Sequence, residues 1–257
     1  PFNPETDVQW TSKPGNLLIK DFIKKVKDFK PDVIFVSIVE DTFVQAIELL
    51  DSIKDLNILN VLGGVFPTAA PEKSIKPESV HMVATGEGEP IVTEILKRIN
   101  ENNFDFTLIP RLWTKNEGKI LPPISGGNLV NIGRITPDFS LFDEKRFLRP
   151  MGGRVFKTLP LESYRGCPFK CTFCNSPMQV TFSKENDLGH FLRRKTMNEV
   201  RNVLKNLVDK HKPDYIYILD DSFLSRPRKE IFEFVDMYSE FKLPFWFNTR
   251  PESCDVE

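Results

Sequence analysis

The hydrophobic pattern of the first hundred residues alternates between two periods. Stretches with apolar residues three or four positions apart predict amphipathic helices, and short β-branched runs between them are typical of buried parallel strands. This alternation indicates an open, doubly wound α/β sheet with a Rossmann-like arrangement. The predicted elements are helices over 16–30, 44–54 and 90–100 and strands over 32–39, 58–62 and 80–84.

A second alternating region follows an irregular stretch. Paired prolines and glycines between Phe104 and Pro160 predict a connector, with a small hairpin around Asn116–Gly118. Three strand–loop–helix units then begin a (β/α) barrel. Three units do not close a barrel, so the chain is expected to be a fragment. The predicted domains are a Rossmann-like domain over 1–103, a connector over 104–158 and half a barrel over 159–257.

Composition narrows the class of protein. With 35 basic and 36 acidic residues, the net charge gives no electrostatic reason to expect nucleic acid or an anionic membrane as a partner. No apolar run is long enough to span a bilayer, and the first residues show no signal peptide. Three of the four cysteines lie within eight residues, which indicates a metal site in a reducing compartment, and a cytoplasmic protein is expected.

Those three cysteines, Cys167, Cys171 and Cys174, have the spacing C-x3-C-x2-C. Such a short loop can place one thiolate on each of three irons of a cubane cluster and leave the fourth iron open. A structural zinc site is a weaker alternative, because it needs four ligands in a familiar spacing. Two further alternatives are inert core cysteines and a simple electron-transfer cluster. An electron-transfer cluster would need a fourth cysteine nearby, which this sequence does not have. The remaining candidate zinc ligands are His190, His211 and Cys254.

The segment Arg165–Cys174, Arg-Gly-Cys-Pro-Phe-Lys-Cys-Thr-Phe-Cys, resembles the signature of the radical S-adenosylmethionine superfamily. The resemblance implies a [4Fe-4S] cluster whose open iron binds S-adenosylmethionine. It also implies reductive cleavage to a 5′-deoxyadenosyl radical, with an electron donor such as flavodoxin or ferredoxin. The aromatic Phe173 before the last cysteine is part of this signature.

Other S-adenosylmethionine contacts implied by the resemblance are less regular. The family often has a glycine- and glutamate-containing segment after the second strand, whereas this chain has Asp220-Asp221-Ser222-Phe223. Asp220 or Asp221 is expected to accept the methionine ammonium. Arg250, after the third strand, is expected to pair with substrate or with the methionine carboxylate. A salt-bridged strand end is the structural alternative for these charged residues.

Two earlier segments, Leu62–Glu72 and Thr85–Glu89, resemble the cobalamin-binding domain that precedes the radical domain in one branch of the superfamily. Glycines there would let backbone approach the corrin and its nucleotide tail, although they could also serve ordinary tight turns. In some cobalamin proteins a histidine of an Asp-x-His-x-x-Gly motif ligates cobalt from below. No histidine of this chain lies in that motif, so the lower face of cobalt is expected to lack a protein histidine, and the first strand of that domain is expected to be missing. The candidate cobalamin contacts are Ser37, Glu40, Asp41, Gly63, Gly64, Thr68, Gly86, Glu87 and Gly88.

Together the resemblances imply a cobalamin-dependent radical enzyme, with methyl transfer to an unactivated carbon as the leading hypothesis. Radical cyclisation, rearrangement or methylthiolation is the second hypothesis. A non-catalytic corrinoid or iron–sulfur sensor module is the third. The substrate, a small molecule or a peptide, is not identified by any of these residues.

Overall fold

The computed structural model describes residues 15–254, which form two compact units. The first unit contains residues 15–130 and 181–189, and the second contains residues 131–180 and 190–254. No helix in this described range is long and apolar enough to cross a membrane.

The first unit is built on a five-stranded sheet. Its elements are α1 (Gly15–Phe29), β1 (Val33–Ser37), α2 (Phe43–Asp51), β2 (Leu59–Gly63), α3 (Val65–Ala69), α4 (Pro71–Ile75), β3 (Met82–Ala84), α5 (Gly88–Asn100), β4 (Leu112–Asn116) and β5 (Lys119–Leu121). The strands lie in the order β1-β2-β3-β4-β5. The first three are parallel, whereas β4 and β5 are antiparallel to their neighbours.

Both faces of this sheet are covered. Val61 and Leu62 are consecutive in β2, so their side chains point to opposite faces, and each is at most 2% exposed. Leu62 belongs to an apolar cluster with α1, α2 and α4, whereas Val61 belongs to one with α5. The predicted open α/β sheet is therefore confirmed, with helices on both of its faces.

The second unit contains a four-stranded sheet with helices on one face. Its strands lie in the order β11-β10-β7-β6, and β7, β10 and β11 are parallel. The elements after β5 are, in chain order, β6 (Leu148–Met151), β7 (Arg154–Leu161), β8 (Tyr164–Arg165), α6 (Ser176–Glu185), β9 (Arg193–Arg194), α7 (Met197–His211), β10 (Tyr215–Ile218), α8 (Arg228–Tyr238) and β11 (Phe245–Phe247).

The core of the second unit lies between this sheet and its helices. Leu159 and Leu161 of β7 alternate with residues of the other face and are fully buried against Leu204 of α7 and Phe234 of α8. On the opposite face, Tyr217 stacks on Trp246 with ring centroids 4.2 Å apart. Strands followed by helices on one side form the beginning of a (β/α) barrel, as the sequence predicts.

Each helix and strand predicted from the sequence has a counterpart in the structure, which also contains several short elements that the sequence analysis does not predict. The hairpin around Asn116–Gly118 is present as β4 and β5, which extend the first sheet. The segment 104–158, predicted as an irregular connector, therefore contains strands over 112–121 and from Leu148 onwards, whereas its described residues 104–111 and 122–147 contain none. The short helices α3, α4 and α6 were not predicted, because each spans ten residues or fewer and shows little periodicity.

Candidate functional site

The cysteine loop connects β8 to α6 in the second unit. Gly166 begins it with φ +97°, and a Cβ there would lie 3.0 Å from the ring of Phe191. The carbonyl of Cys171 accepts a hydrogen bond from the N–H of Cys174 (3.1 Å), and the Cys174 sulfur accepts one from the N–H of Ser176 (3.4 Å). Glycine thus sets the direction of the loop, and backbone hydrogen bonds hold its last turn.

The three thiols of this loop are of the type that ligates the irons of a cluster. Cys167 and Cys171 are half-buried and Cys174 is exposed, and all are free. In the described part of the chain, no three histidine, cysteine or acidic side chains converge closely enough to hold one metal ion. A cubane cluster spreads its cysteines over separate irons, so convergence on one point is not required. Burial raises the pKa of Cys167, and the N–H of Phe169 opposes this shift.

Asp220 lies two residues after β10 and is buried against the residues that follow β7 and lead into the cysteine loop. Its carboxylate accepts hydrogen bonds from the N–H groups of Ser163 and Tyr164 (both 2.8 Å) and from the Ser163 hydroxyl (2.5 Å). It also pairs with Arg226, whose Nε–H donates to the carbonyl of Phe223 (2.7 Å). Asp220 and Arg226 are both nearly inaccessible to solvent. The carboxylate that the sequence offered as an ammonium acceptor is thus occupied by protein donors.

Asp221 remains open to a ligand. Its side chain is exposed, and the Ser176 hydroxyl lies 3.4 Å from its carboxylate. Partial desolvation raises the pKa of Asp221, the Ser176 hydrogen bond opposes this, and the charges of Asp220 and Glu162 raise it further. Of the two neighbouring aspartates, only Asp221 combines exposure with a position beside the helix that follows the cysteines.

Phe173 and Arg250 are also accessible. The Phe173 side chain is 93% exposed. The Arg250 guanidinium lies over the Phe169 ring, 4.2 Å from its centroid, and forms a fork with Glu252 at 2.9 and 3.3 Å. This fork raises the pKa of Arg250. The salt-bridged strand end considered from the sequence is therefore present, on a side chain that also contacts the cysteine loop.

In the first unit, the candidate cobalamin residues follow the carboxyl ends of the parallel strands. Ser37 ends β1 and is paired with Gly63 at the end of β2, and Gly86 follows β3. Ligands of open α/β sheets bind at this edge. His81 precedes β3 and therefore lies at the opposite edge.

Two of the glycines serve packing within the protein. At Gly64 (φ +104°) an added Cβ would lie 2.6 Å from the carbonyl oxygen of Ile38. At Gly86 (φ +76°) it would lie 2.8 Å from the Phe182 ring and 2.9 Å from Arg111. The space beside these glycines is filled by protein atoms. An added Cβ at Gly88 would have no atom within 4 Å, so the space beside this glycine is open.

Thr68 joins two of the candidate loops. Its hydroxyl donates to the carbonyl of Gly64 (2.8 Å) and accepts from the N–H of Gly86 (2.9 Å). Only 5% of this residue is exposed. Thr68 therefore links the loop after β2 to the loop after β3, and its hydroxyl is used for this link.

The acidic candidates differ in burial. The Glu87 carboxylate is buried and accepts a hydrogen bond from the N–H of Val130 (2.7 Å). Glu40 and Asp41 are exposed in a short 3-10 turn after β1. Ionic or hydrogen-bonding contact with a ligand is therefore easiest at Glu40 and Asp41.

The sequence interpretation missed Arg111. It lies at the carboxyl edge of β3, is 2% exposed and has φ +63°. Its carbonyl accepts from both the N–H and the hydroxyl of Thr85 (3.0 Å each), whereas its Nε has no hydrogen-bond partner among the described residues. Burial lowers the pKa of Arg111, and Glu87 and Glu89 oppose this shift. No local pattern in the sequence marks this residue.

Replacing Gly64 by alanine is expected to lower the free energy of unfolding by about 1–3 kcal/mol, because a β-carbon there meets the Ile38 backbone in a glycine-only conformation. Urea unfolding followed by circular dichroism measures the change. Gly88→Ala is the matched control, since its Cβ meets open space, and it should change stability by less than about 0.5 kcal/mol. Equal stability of the two variants would contradict the packing role of Gly64.

Comparisons with known proteins agree with this arrangement. Residues 6–106 match the family model described as "B12 binding domain". The anaerobic magnesium-protoporphyrin IX monomethyl ester cyclase of Rubrivivax gelatinosus is 26% identical over 239 residues, which cover 90% of this chain and 41% of the cyclase. The match to the B12-binding model is confined to residues 6–106, whereas the similarity to the cyclase extends well beyond them.

Two solved structures share the fold. The first is the cobalamin-dependent S-adenosylmethionine radical enzyme OxsB with aqua-cobalamin and S-adenosylmethionine bound (TM-score 0.64, 19% identity, 89% of this chain and 31% of that chain). The second is the radical S-adenosylmethionine methyltransferase TsrM from Kitasatospora setae with cobalamin and a [4Fe-4S] cluster bound (TM-score 0.57, 17% identity, 87% and 42%). The chain spans less than half the length of each of these relatives.

Proposed function

We propose that this chain, which is related to the cobalamin-dependent radical S-adenosylmethionine enzymes, binds a [4Fe-4S] cluster, S-adenosylmethionine and cobalamin for methyl transfer to an unactivated carbon. The observation that supports this most is the combination, on one chain, of a B12-binding domain match and a C-x3-C-x2-C loop after a barrel strand. Either feature alone would leave the reaction class open.

The residues of the second unit have separable roles in this proposal. Cys167, Cys171 and Cys174 would hold three irons of the cluster, and Asp221 would accept the ammonium of S-adenosylmethionine. Asp220, Ser163 and Arg226 position the start of the cysteine loop through their buried hydrogen bonds. The bound cluster and S-adenosylmethionine together supply a carbon-centred radical for hydrogen abstraction.

In the first unit, the carboxyl edge of β1–β3 would receive cobalamin, which supplies a transferable methyl group. Gly88 leaves room for close approach, and Glu40 and Asp41 are exposed in the turn that follows β1. Thr68, Gly64 and Gly86 hold the loops at a fixed separation.

Anaerobic reconstitution with iron, sulfide and hydroxocobalamin tests the cofactor set. We expect cluster and corrin absorption in the same protein, and 5′-deoxyadenosine after reduction with S-adenosylmethionine present. The donor we propose is a flavodoxin or ferredoxin in a cytoplasmic, reducing setting, which the free cysteines support. A full-length protein that binds both cofactors without yielding 5′-deoxyadenosine would favour a non-catalytic module.

A radical cyclisation is the second candidate, because the relative that matches 90% of this chain is named as a cyclase. The mass of the product separates the two reactions. A methylated product is heavier by one CH2 than its substrate, whereas ring closure with loss of hydrogen gives a lighter one.

Replacing Asp221 by asparagine is expected to weaken S-adenosylmethionine binding by about 10- to 100-fold, because a charged hydrogen bond contributes about 1.5–3 kcal/mol. Equilibrium dialysis of labelled S-adenosylmethionine against the reconstituted protein measures the affinity. Asp209→Asn is the control, since Asp209 is an exposed aspartate of α7. An unchanged affinity for the Asp221 variant would remove that residue from the site.

A further inference from the structure

The guanidinium of Arg250 is stacked on the cysteine loop itself. It lies over the ring of Phe169, with its Cζ atom 4.2 Å from the ring centroid. Phe169 lies midway between Cys167 and Cys171 in the chain, and its N–H donates a hydrogen bond to the Cys167 sulfur. A cation at this distance from the face of a phenylalanine is attracted by the ring. One residue of the loop therefore contacts both a thiol and a positive charge.

A carboxylate holds this charge in place from the other side. The Glu252 oxygens accept hydrogen bonds from Nη2 (2.9 Å) and Nε (3.3 Å) of Arg250. The carbonyl of Arg250 also accepts from the N–H of Ser253 (3.0 Å), which closes the 3-10 turn that carries Glu252. A planar guanidinium with a carboxylate fork at one edge and a ring against one face has little freedom to move.

This arrangement differs from the role that the sequence predicts for Arg250. The methionine carboxylate of S-adenosylmethionine would need a fork of N–H donors, and Glu252 already occupies the fork of Nε and Nη2. An exposed ion pair of this kind contributes little to stability. The contact of Arg250 with the cysteine loop therefore points to an action on the loop.

The charge of Arg250 acts on two of the three cysteines of the loop. The hydrogen bond to Glu252 raises the pKa of Arg250 most, desolvation opposes this shift, and the charges of Glu252, Cys171 and Cys167 raise it further. The two sulfurs are therefore within electrostatic range of the guanidinium. The Arg250 side chain is 39% exposed, so water and salt screen part of this interaction.

We propose that Arg250 tunes the [4Fe-4S] cluster, and that its positive charge raises the reduction potential. Three thiolates give such a cluster a net negative charge, and reduction adds one electron to it. A nearby cation stabilises the reduced cluster more than the oxidised one, because Coulomb attraction grows with the charge on which it acts. Arg250 thus makes one-electron reduction by the proposed flavodoxin or ferredoxin easier. This inference rests on the proposed function, since it requires the cluster.

A reductive titration of the reconstituted protein tests the proposal, in the absence of S-adenosylmethionine so that no ligand contributes. Titanium(III) citrate supplies the electron, and the EPR signal of the reduced cluster gives the midpoint potential. Arg250→Gln should shift the midpoint to a more negative value, because the cation is lost. Glu252→Gln should shift it the opposite way, because the opposing negative charge is lost. Arg250→Lys, which keeps the charge, should have a midpoint close to that of the unchanged protein.

Arg201→Gln is the matched control. Arg201 forms the same type of fork with Glu240 on exposed side chains, and in the described part of the chain it lies over no aromatic ring. Its removal should leave the midpoint unchanged. A shift equal to that of Arg250→Gln would show that the effect does not come from the contact with the cysteine loop, and would overturn the proposal.

Iron content separates the remaining outcomes. A full cluster with an unchanged midpoint in Arg250→Gln, or an equal negative shift in Arg250→Lys, would overturn the tuning role and leave the proposed function intact. If Arg250→Gln assembles no cluster, Glu252→Gln still decides, because a midpoint at or below that of the unchanged protein contradicts the proposal. An unchanged protein that assembles no cluster would overturn both the cluster assignment and this inference.

Discussion

Replacing Cys171 by alanine is expected to abolish cluster assembly, with loss of the broad visible absorption and of nearly all protein-bound iron and sulfide after anaerobic reconstitution. The physical reason is that two cysteines cannot ligate three irons of a cubane. Alanine keeps the hydrogen bond of this loop turn, since Cys171 takes part through its carbonyl, which accepts from the N–H of Cys174. The fold should therefore survive the substitution.

Cys254→Ala is the matched control, because Cys254 is the fourth and exposed cysteine of the chain. Its iron content should equal that of the unchanged protein. Cobalamin binding should persist in the Cys171 variant, since the first unit has its own apolar clusters. Cluster absorption that survives in Cys171→Ala, or disappears in Cys254→Ala, would show that the cluster ligands have been assigned to the wrong cysteines.

Local patterns account for much of the fold. α7 illustrates this: its apolar face at Val200, Leu204 and Leu207 is buried, as the helical spacing predicts. At its start, the Thr196 hydroxyl accepts from the N–H of Glu199 (3.3 Å), while the Glu199 carboxylate accepts from the N–H of Thr196 (2.7 Å). This capping box is readable as Thr-x-x-Glu. Such elements are predictable because their causes lie within a few residues.

The candidate sites were less predictable, because their determinants are distant in sequence. Asp220 binds the N–H of Ser163 across 57 positions, and Thr85 binds the carbonyl of Arg111 across 26. No periodicity or motif links such pairs. The role of a glycine is equally hard to predict from the sequence. Gly64 is easily noticed there as part of a Gly-Gly pair, but only the structure shows that Ile38 occupies the space beside it.

The contrast between Asp220 and Asp221 follows from this. Both aspartates are equivalent in the sequence as acceptors for an ammonium. Alternation along β10 and the residues just after it places one side chain among the buried strand ends and the other at the surface. The sequence thus predicts acidic side chains at the end of β10, whereas their burial in the fold decides which of the two aspartates is accessible to a ligand.

Replacing Asp220 by alanine is expected to lower the free energy of unfolding by about 3–5 kcal/mol, because it leaves the Arg226 guanidinium buried without its counter-ion. The N–H groups of Ser163 and Tyr164 lose their acceptor in the same variant. Urea unfolding measures the change. The exposed pair Arg201–Glu240 is the control, where Arg201→Ala should cost about 1 kcal/mol or less.

The double variant Asp220→Ala/Arg226→Met separates the two contributions. Removing both charges should recover part of the lost stability, because the cost of a buried unpaired charge disappears while the N–H groups of Ser163 and Tyr164 stay unsatisfied. The two single losses should therefore not add. A small loss in Asp220→Ala, together with a large drop in S-adenosylmethionine affinity, would instead make Asp220 a ligand-binding residue, and the division of roles between the two aspartates would be reversed.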